Sequence, residues 1–211
     1  MTGRTGIIEL SQTSYIKSVL ERLDITRSSS LPASTSTDLR SVNGGKGVKD
    51  MPFREMVGCL MWIANQTRPD ISNAVRAVAR HSHDPKETHW KALQKIFEYL
   101  HSTVDLGLTF RAGPDVDVRT TVYVDADYAK EDESKRSVSG GAVLCGSSPV
   151  AWYSRTQKSV TLSTTEAEYV AMGDGVKEAL FRDGVVGFLF DDRKAEAIRV
   201  LEDNELSLIH I

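Results

Sequence analysis

The stretch of sequence that decides the fold is Thr120-Thr-Val-Tyr-Val124, which is followed at once by Asp125-Ala-Asp127. Its density of β-branched and aromatic residues predicts a β-strand that ends in acidic residues. Two more strands are predicted after it, at residues 137–145 and at residues 150–154 with 159–162. These three strands are expected to pair antiparallel.

A helix and one further strand complete this half of the chain. Ser163 and Glu166 have the spacing of a capping box, in which each side chain satisfies backbone N–H groups at the helix start. Residues 198–201 are predicted to form the fourth strand. The apolar spine of the helix is predicted at Tyr169, Met172, Val176 and Leu180. Three antiparallel strands, a crossing helix and a further strand predict an α/β fold with a mixed sheet.

The first half of the chain is predicted to be mostly helical. A short strand and a helix are expected within residues 6–23, and a solvated connector rich in Ser, Thr, Pro and Gly within residues 26–50. Apolar residues at helical spacing predict three helices within residues 53–102, as a compact helical unit. The sequence Ala112-Gly-Pro-Asp115 is predicted to join the two halves.

Composition excludes several classes of protein. The chain has 211 residues, 40% of them apolar, and is therefore long enough to bury a core. No apolar run approaches the roughly 20 residues that span a bilayer, and two cysteines are too few for a disulfide scaffold or a zinc cluster. We expect an intracellular protein, in a cytoplasmic particle or the nucleus, with no membrane partner. The net charge is −3, with an excess of basic residues in the first half and of acidic residues in the second. This asymmetry suggests one part that binds polyanions and one part that binds cations, with a chance fluctuation as the alternative.

Three acidic residues stand at the predicted ends of elements. Asp125 follows the first strand of the α/β half, Glu168 lies in the first helical turn, and Asp203 follows the fourth strand. Hard cations such as Mg²⁺ take oxygen ligands from separate rigid elements, which this arrangement could supply. From position alone the solvated alternative is the stronger one, because acidic residues usually face water.

These residues carry a resemblance to a known family. The second half resembles the ribonuclease H domain of copia-type LTR retrotransposon polyproteins, in blocks that begin Tyr123-Val-Asp125, Lys135-Arg-Ser-Val-Ser, Val150-Ala-Trp152 and Ser163-Thr-Thr-Glu-Ala-Glu168, with Asp203-Asn204 after them. The first half resembles the end of the reverse transcriptase of the same polyproteins, through Phe53-Arg-Glu-Met-Val-Gly58, Thr67-Arg-Pro-Asp-Ile71 and His89-Trp90. The blocks occur in the family's order and cover nearly the whole chain.

The resemblance implies a truncated ribonuclease H-like mixed sheet preceded by a small helical region. Residues 1–112 would be the C-terminal region of the reverse transcriptase, similar to its thumb or connection. Residues 118–205 would be the incomplete ribonuclease H-like domain. Residues 206–211 are expected to be a non-native tail, because they match the translation of a sequencing adapter.

Carried onto this sequence, the resemblance implies that Asp125, Glu168 and Asp203 are catalytic and ligate two Mg²⁺ ions. The parent activity would be hydrolysis of the RNA strand of RNA–DNA hybrids during reverse transcription, with the rest of the polyprotein as a partner. Asp127 is expected to point to the opposite face of the strand, and Glu166 to cap the helix. The predicted contacts to nucleic acid are Arg68, Arg76, Arg80, Lys135 and Arg136. For the three arginines a solvated charged surface is an equal alternative.

The sequence also departs from the family. It contains no Tyr-x-Asp-Asp, the paired-aspartate motif of the polymerase, so polymerisation is not expected. The fourth ribonuclease H carboxylate is expected beyond Asp203 and is not in this sequence. Gly173, Gly175, Gly184 and Gly187 are expected to weaken the helix that carries Glu168. We therefore expect little hydrolysis by this chain. The alternatives are a catalytically dead nucleic-acid-binding remnant of the same polyprotein and an integrase-like nuclease, against which the polymerase-type helices argue.

Overall fold

A computed structural model describes residues 6–34, 39, 47, 51–112, 119–129, 134–189 and 197–202. The chain divides into two compact units. The first, called the helical unit below, is Glu9–Leu108, and the second, the sheet unit, is Thr109–Ile211 together with Met1–Ile8.

The elements follow the predicted order, with a strand and helices in the first half and strands around one long helix in the second. They are β1 (Gly6–Leu10), α1 (Thr13–Arg22), α2 (Phe53–Gln66), α3 (Ser72–Ala79), α4 (Glu87–Ser102), β2 (Leu108–Ala112), β3 (Thr120–Asp127), β4 (Val138–Cys145), β5 (Ser148–Thr156), α5 (Thr164–Leu189) and β6 (Arg199–Leu201). A single 3₁₀ turn, Pro69–Ile71, lies between α2 and α3 and begins with its proline, as the fixed φ of that residue favours. β1 and β2 form a two-stranded sheet.

The helical unit is built on four amphipathic helices that share one core. The three helices predicted within residues 53–102 are confirmed as α2, α3 and α4. Their apolar residues recur at helical spacing and therefore face one another. The most deeply buried apolar side chains of this core are Ile16, Met56, Leu60, Ile63, Ile71, Leu93, Ile96, Phe97 and Leu100.

The sheet unit contains a four-stranded mixed sheet, which confirms the predicted α/β class. The strand order is β5-β4-β3-β6, with β6 parallel to β3 and the other neighbours antiparallel. The third strand ends at Thr156, so the prediction that residues 159–162 belong to it was wrong. Those residues turn towards the start of α5, and the Thr161 side chain is buried there against Ser137.

The two faces of this sheet differ. Along β3, Thr120, Val122 and Val124 are buried, whereas Tyr123, Asp125 and Asp127 are exposed. α5 packs on the buried face. The opposite face carries an apolar row of directly paired residues, in the order Leu201, Tyr123, Ala142 and Trp152. Within this row Tyr123 is 49% exposed and Leu201 is 37% exposed.

α5 is a continuous helix of 26 residues that runs through all four of its glycines. The predicted spine of large apolar residues is confirmed only in part, because Met172 packs against the core of the sheet unit whereas Leu180 is 59% exposed. The buried positions are Ala167, Glu168, Ala171, Gly175, Ala179 and Arg182. A β-carbon on Gly175 would clash with Cγ1 of Val124 and lie 3.1 Å from Cγ1 of Val122. Small residues therefore face the sheet because the helix backbone lies close against β3. Across the described ranges, no helix has both the length and the apolar character needed to cross a bilayer.

Candidate metal site and nucleic-acid surface

The contacts of α5 fix its direction over the sheet. Near the end of the helix, the Arg182 guanidinium donates hydrogen bonds to the Thr120 hydroxyl, at the start of β3, and to the Cys145 sulfur. In the middle of the helix, Gly175 packs on Val122 and Val124. The helix therefore runs antiparallel to β3, and its first turn lies towards the end of that strand.

Helix and strand dimensions show which part of β3 lies beside Glu168. Glu168 precedes Gly175 by two helical turns, which is about 10 Å along the helix axis. The three residues from Val124 to Asp127 also cover about 10 Å of strand. Glu168 is therefore level with the end of β3, where Asp125 and Asp127 lie. The structure brings two of the three predicted catalytic acids to one end of one strand.

Asp125 and Asp127 share a face of β3. The strand continues through both residues, and both side chains are exposed. Side chains two residues apart in a strand point to the same side, so the prediction that Asp127 faces away from Asp125 was wrong. Both carboxylates lie on the face opposite the one that α5 covers. Asp125 and Glu168 thus share the strand end without sharing a face of the sheet.

Asp203, the third predicted acid, lies outside the described residues, two positions after the last residue of β6. Among the residues that are described, no group of three or more His, Cys, Asp or Glu side chains is placed to hold a metal ion. The three-carboxylate site consequently stays a prediction, with Asp125 and Glu168 as its described members.

Among the described members of the predicted site in the sheet unit, Glu168 is the most buried, with 6% of its surface exposed. Burial of a carboxylate is costly unless hydrogen bonds, a countercharge or a cation compensates it. Glu168 is the fifth residue of α5, just beyond the first turn, in which Glu166 is the acidic residue. The start itself is capped by Ser163, whose Oγ accepts from the Glu166 N–H at 3.1 Å, while Glu166 Oε2 accepts from the Leu162 N–H at 2.6 Å. The predicted capping role of Glu166 is confirmed.

Sequence reasoning missed a buried polar cluster beside this helix start. It consists of Ser137, Ser139, Gln157 and Thr161, all no more than 3% exposed. The Ser137 and Thr161 hydroxyls lie 2.7 Å apart, and the Ser137 Oγ accepts from the Ala129 N–H. Gln157 Nε2 donates to Ser139 Oγ at 3.0 Å and to the Ala167 carbonyl at 2.8 Å. The single signal in the sequence is that Ser137 and Ser139 are two residues apart in a predicted strand.

Lys135 and Arg136 lie at the same end of the sheet as the acids. Both are exposed, and they precede Val138, which pairs with Asp127 in the β3–β4 register. Lys135 has a φ of 54°, a left-handed conformation that marks a turn. The predicted basic pair is thus next to the predicted cation ligands.

Arg68 does not fit the predicted role in nucleic-acid binding. It is 1% exposed, and its guanidinium donates to both Asp70 carboxylate oxygens, at 3.0 and 2.7 Å, and to the Thr103 carbonyl at 2.8 Å. The guanidinium carbon also lies 5.4 Å from the centre of the Tyr99 ring. Burial opposes ionisation of Asp70, but the hydrogen bonds from Arg68 and Tyr99 outweigh it and lower the pKa of that carboxyl. A guanidinium held this way is not accessible to a phosphate, so we correct this assignment to a structural one.

Arg76 and Arg80 remain at the surface of the helical unit. Arg76 lies in α3 and is half-buried, with its guanidinium 3.2 Å from the Asn73 side-chain oxygen. Arg80 is exposed directly after the helix. Their predicted contact with a phosphate backbone is untested.

Comparison with known proteins places the chain among transposon proteins. It is 34% identical over 173 residues to the retrovirus-related Pol polyprotein from transposon RE2 of Arabidopsis thaliana, which is 81% of this chain. It is 33% identical over 180 residues, or 82% of this chain, to the corresponding polyprotein from transposon TNT 1-94 of Nicotiana tabacum. These matches span only 12% and 13% of the two polyproteins.

A shorter relative is matched almost throughout its length. The chain is 39% identical over 135 residues to the secreted RxLR effector protein 161 of Plasmopara viticola, covering 64% of this chain and 93% of the relative. No protein-family model matches the chain, and no solved structure matches it. The chain belongs to the family formed by these proteins and is homologous to a limited region of the Pol polyproteins of copia-type retrotransposons.

Proposed function

We propose that the sheet unit is a ribonuclease H-like domain in which Asp125, Glu168 and Asp203 ligate two Mg²⁺ ions. The observation that carries this proposal is the antiparallel packing of α5 on β3, which brings Glu168 level with the strand end that bears Asp125. A hard cation takes oxygen ligands from separate rigid elements, and sequence spacing alone could not show that these two acids lie at the same strand end.

The donor set fits Mg²⁺ because it consists of carboxylate oxygens. If these residues held two Mg²⁺ ions, the metal would supply the positive charge that activates water and stabilises the leaving oxygen in phosphodiester hydrolysis. The chain's own residues have separate tasks. Asp125 is open to solvent and can be reached by a cation and a substrate, whereas Glu168 is buried just after the first turn of α5. Asp127 is a candidate ligand as well, since it shares the face of Asp125.

The substrate that this arrangement suits is an RNA–DNA hybrid. Lys135 and Arg136 are exposed beside the acids, where they can bind the phosphate backbone. A protein distinguishes the RNA strand through its 2′-hydroxyl groups and the shape of the duplex, without reading base edges. The homology to Pol polyproteins supports a role in reverse transcription, in which the rest of the polyprotein would be a partner.

The second candidate is a nucleic-acid-binding remnant of the same polyprotein that does not hydrolyse its ligand. One observation favours it: within the described ranges, no three ligating side chains are gathered into one metal site. Binding through Lys135 and Arg136 would survive the loss of that site.

One experiment separates the two candidates. The 211-residue chain is incubated with an end-labelled RNA–DNA hybrid and Mg²⁺, and both binding and release of short oligonucleotides are measured. The variants are Asp125→Asn, Asp127→Asn and Glu168→Gln, with Glu178→Gln on the same helix as the control. Cleavage that is lost in Asp125→Asn and Glu168→Gln, but not in Glu178→Gln, supports the hydrolase.

The other outcomes are equally decisive. Hybrid binding by the wild type without any metal-dependent cleavage supports the remnant. A chain that neither binds nor cleaves the hybrid contradicts both candidates. Loss of cleavage in Asp127→Asn would add Asp127 to the ligands.

A further inference from the structure

Gln157 connects three segments of the sheet unit through one side chain and one backbone group. It directly follows β5 and is 3% exposed. Its backbone N–H donates to the Ser137 carbonyl at 2.8 Å. Its side-chain Nε2 donates to Ser139 Oγ on β4 at 3.0 Å and to the Ala167 carbonyl on α5 at 2.8 Å.

The chemistry of these bonds suits an amide and no charged side chain. Nε2 has two hydrogens, and the two bonds use both of them. A carbonyl oxygen only accepts, so a glutamate in this position would bring a carboxylate oxygen against the Ala167 carbonyl. Without this hydrogen bond, the Ala167 carbonyl would lose its link to β4 in a buried environment where water does not replace the lost donor.

The position of the second bond makes it relevant to the site. Ala167 directly precedes Glu168, so Gln157 holds the carbonyl of the residue next to the predicted ligand. At the other end of α5, Arg182 bonds to Thr120 and Cys145. Between these two anchors the helix is in contact with β3 through a glycine. The location of the first turn relative to β4 therefore depends on the amide of Gln157.

We propose that Gln157 is a positioning residue for Glu168: it fixes the first turn of α5 against β4 and thereby orients the Glu168 carboxylate towards the cation. Gln157 is buried and need not touch cation or substrate. The proposal rests on the proposed function, because it takes Glu168 to be a metal ligand. Outer partners that orient a ligand typically change metal affinity by about 10- to 100-fold when they are removed.

The test measures binding of Mn²⁺ alone to the 211-residue chain by isothermal titration calorimetry, with thermal melting of each variant alongside. Gln157→Met keeps the length of the side chain and removes the amide. Thr161→Val is the matched control, because it removes a buried hydroxyl of the same cluster whose described partner is Ser137 and not α5. We expect Gln157→Met to weaken Mn²⁺ binding by about 10-fold or more, and Thr161→Val to leave it within about 3-fold at a comparable loss of melting temperature.

A milder variant covers the case in which Gln157→Met does not fold. Ser139→Ala removes one of the two acceptors of the amide and leaves the bond to Ala167, so we expect a smaller loss of Mn²⁺ affinity in the same direction. Affinity that is unchanged in the folded Gln157 and Ser139 variants, or reduced no further than in Thr161→Val, overturns the positioning role. Failure of the proposed function looks different: the wild type then binds no Mn²⁺, or Glu168→Gln binds it as the wild type does, and the positioning role falls with it.

Discussion

Gly175 of α5 lies so close to Val124 of β3 that a β-carbon on the glycine would overlap the Cγ1 atom of the valine. This contact holds the middle of the helix against the strand that bears Asp125. It also explains why a glycine stands inside a long helix, where it would otherwise cost up to about 1 kcal/mol relative to alanine.

We expect Gly175→Ala to destabilise the sheet unit by about 1–3 kcal/mol, because the added methyl group overpacks the contact with Val122 and Val124. Urea denaturation followed by circular dichroism would measure the change. Gly173→Ala is the matched control on the same helix, since nothing lies within 4 Å of its β-carbon position. We expect it to be neutral or stabilising by up to about 1 kcal/mol. Equal effects of the two substitutions would contradict the close contact.

The second prediction concerns Arg68. Replacing it with methionine leaves the partly buried Asp70 carboxylate without its guanidinium partner and removes the bond to the Thr103 carbonyl. We expect the helical unit to lose about 3 kcal/mol of stability, seen as a lower urea midpoint. Arg76→Met removes a surface arginine and should change stability by no more than about 0.5 kcal/mol. If Arg68→Met instead kept stability and lost hybrid binding, the structural role assigned to Arg68 would be wrong.

The third prediction is a pH dependence centred on His89. Burial lowers the pKa of this imidazole, with Lys86 acting in the same direction, while its hydrogen bond to the Leu39 carbonyl and the charge of Asp84 oppose the shift. The ring also accepts the Lys86 N–H at Nδ1 and stacks on His81. Below the ordinary histidine pKa of about 6.5, the unfolded chain binds a proton that the folded chain does not. Stability therefore decreases as the pH is lowered, until the pH reaches the pKa of His89 in the folded state.

Melting temperatures between pH 7.5 and pH 5 would measure this effect. The comparison is with His89→Gln, which cannot titrate but can still accept a hydrogen bond. We expect the wild type to lose more stability than the variant over that interval. Parallel melting curves for the two proteins would show that His89 contributes nothing to the pH dependence.

The fourth prediction concerns the apolar row Leu201, Tyr123, Ala142 and Trp152 on the sheet face opposite α5. Exposed apolar surface of this kind favours association, so we expect the chain to be poorly soluble or to self-associate. Replacing both Tyr123 and Leu201 with threonine keeps residues suited to strands and should raise the monomer fraction in light scattering. Leu162→Thr is the control, since Leu162 is 85% exposed but lies outside the sheet. A wild-type chain that is monomeric at high concentration would contradict the prediction.

Most elements were predictable from sequence because they follow from local patterns, whereas residues 159–162 were wrongly assigned to a strand. β-branched runs marked the strands, helical spacing marked α2, α3 and α4, and Ser163 with Glu166 marked the start of α5. The buried side of α5 was not predictable, because hydrophobicity reports which residues prefer burial and not how near a helix approaches a sheet. At a short distance the small residues, Gly175 among them, occupy the contact, and a large residue such as Leu180 is left outside.

The candidate site divides in the same way. Two acids could be proposed from their places at element ends and from family resemblance, whereas the level of Glu168 relative to Asp125 needed the contacts of α5. Gln157 was out of reach, since a glutamine after a strand carries no sequence signal of the two bonds it makes. Arg68 shows the opposite case, in which the sequence predicted a functional role that the structure does not support. An arginine in a block shared with a polymerase was predicted to contact phosphate, and only its burial shows that its role is structural.

The burial of Arg68 changes what can be inferred from the block Thr67-Arg-Pro-Asp-Ile71 when it is found in a sequence. Its arginine and aspartate are bound to each other and to the end of α4, within a unit that holds none of the three predicted catalytic acids. Substitutions in this block are therefore expected to act on the stability of the helical unit and not directly on the three predicted acids. The block therefore reports on the packing of the helical unit, whereas the predicted metal site has to be judged from the residues around β3 and α5.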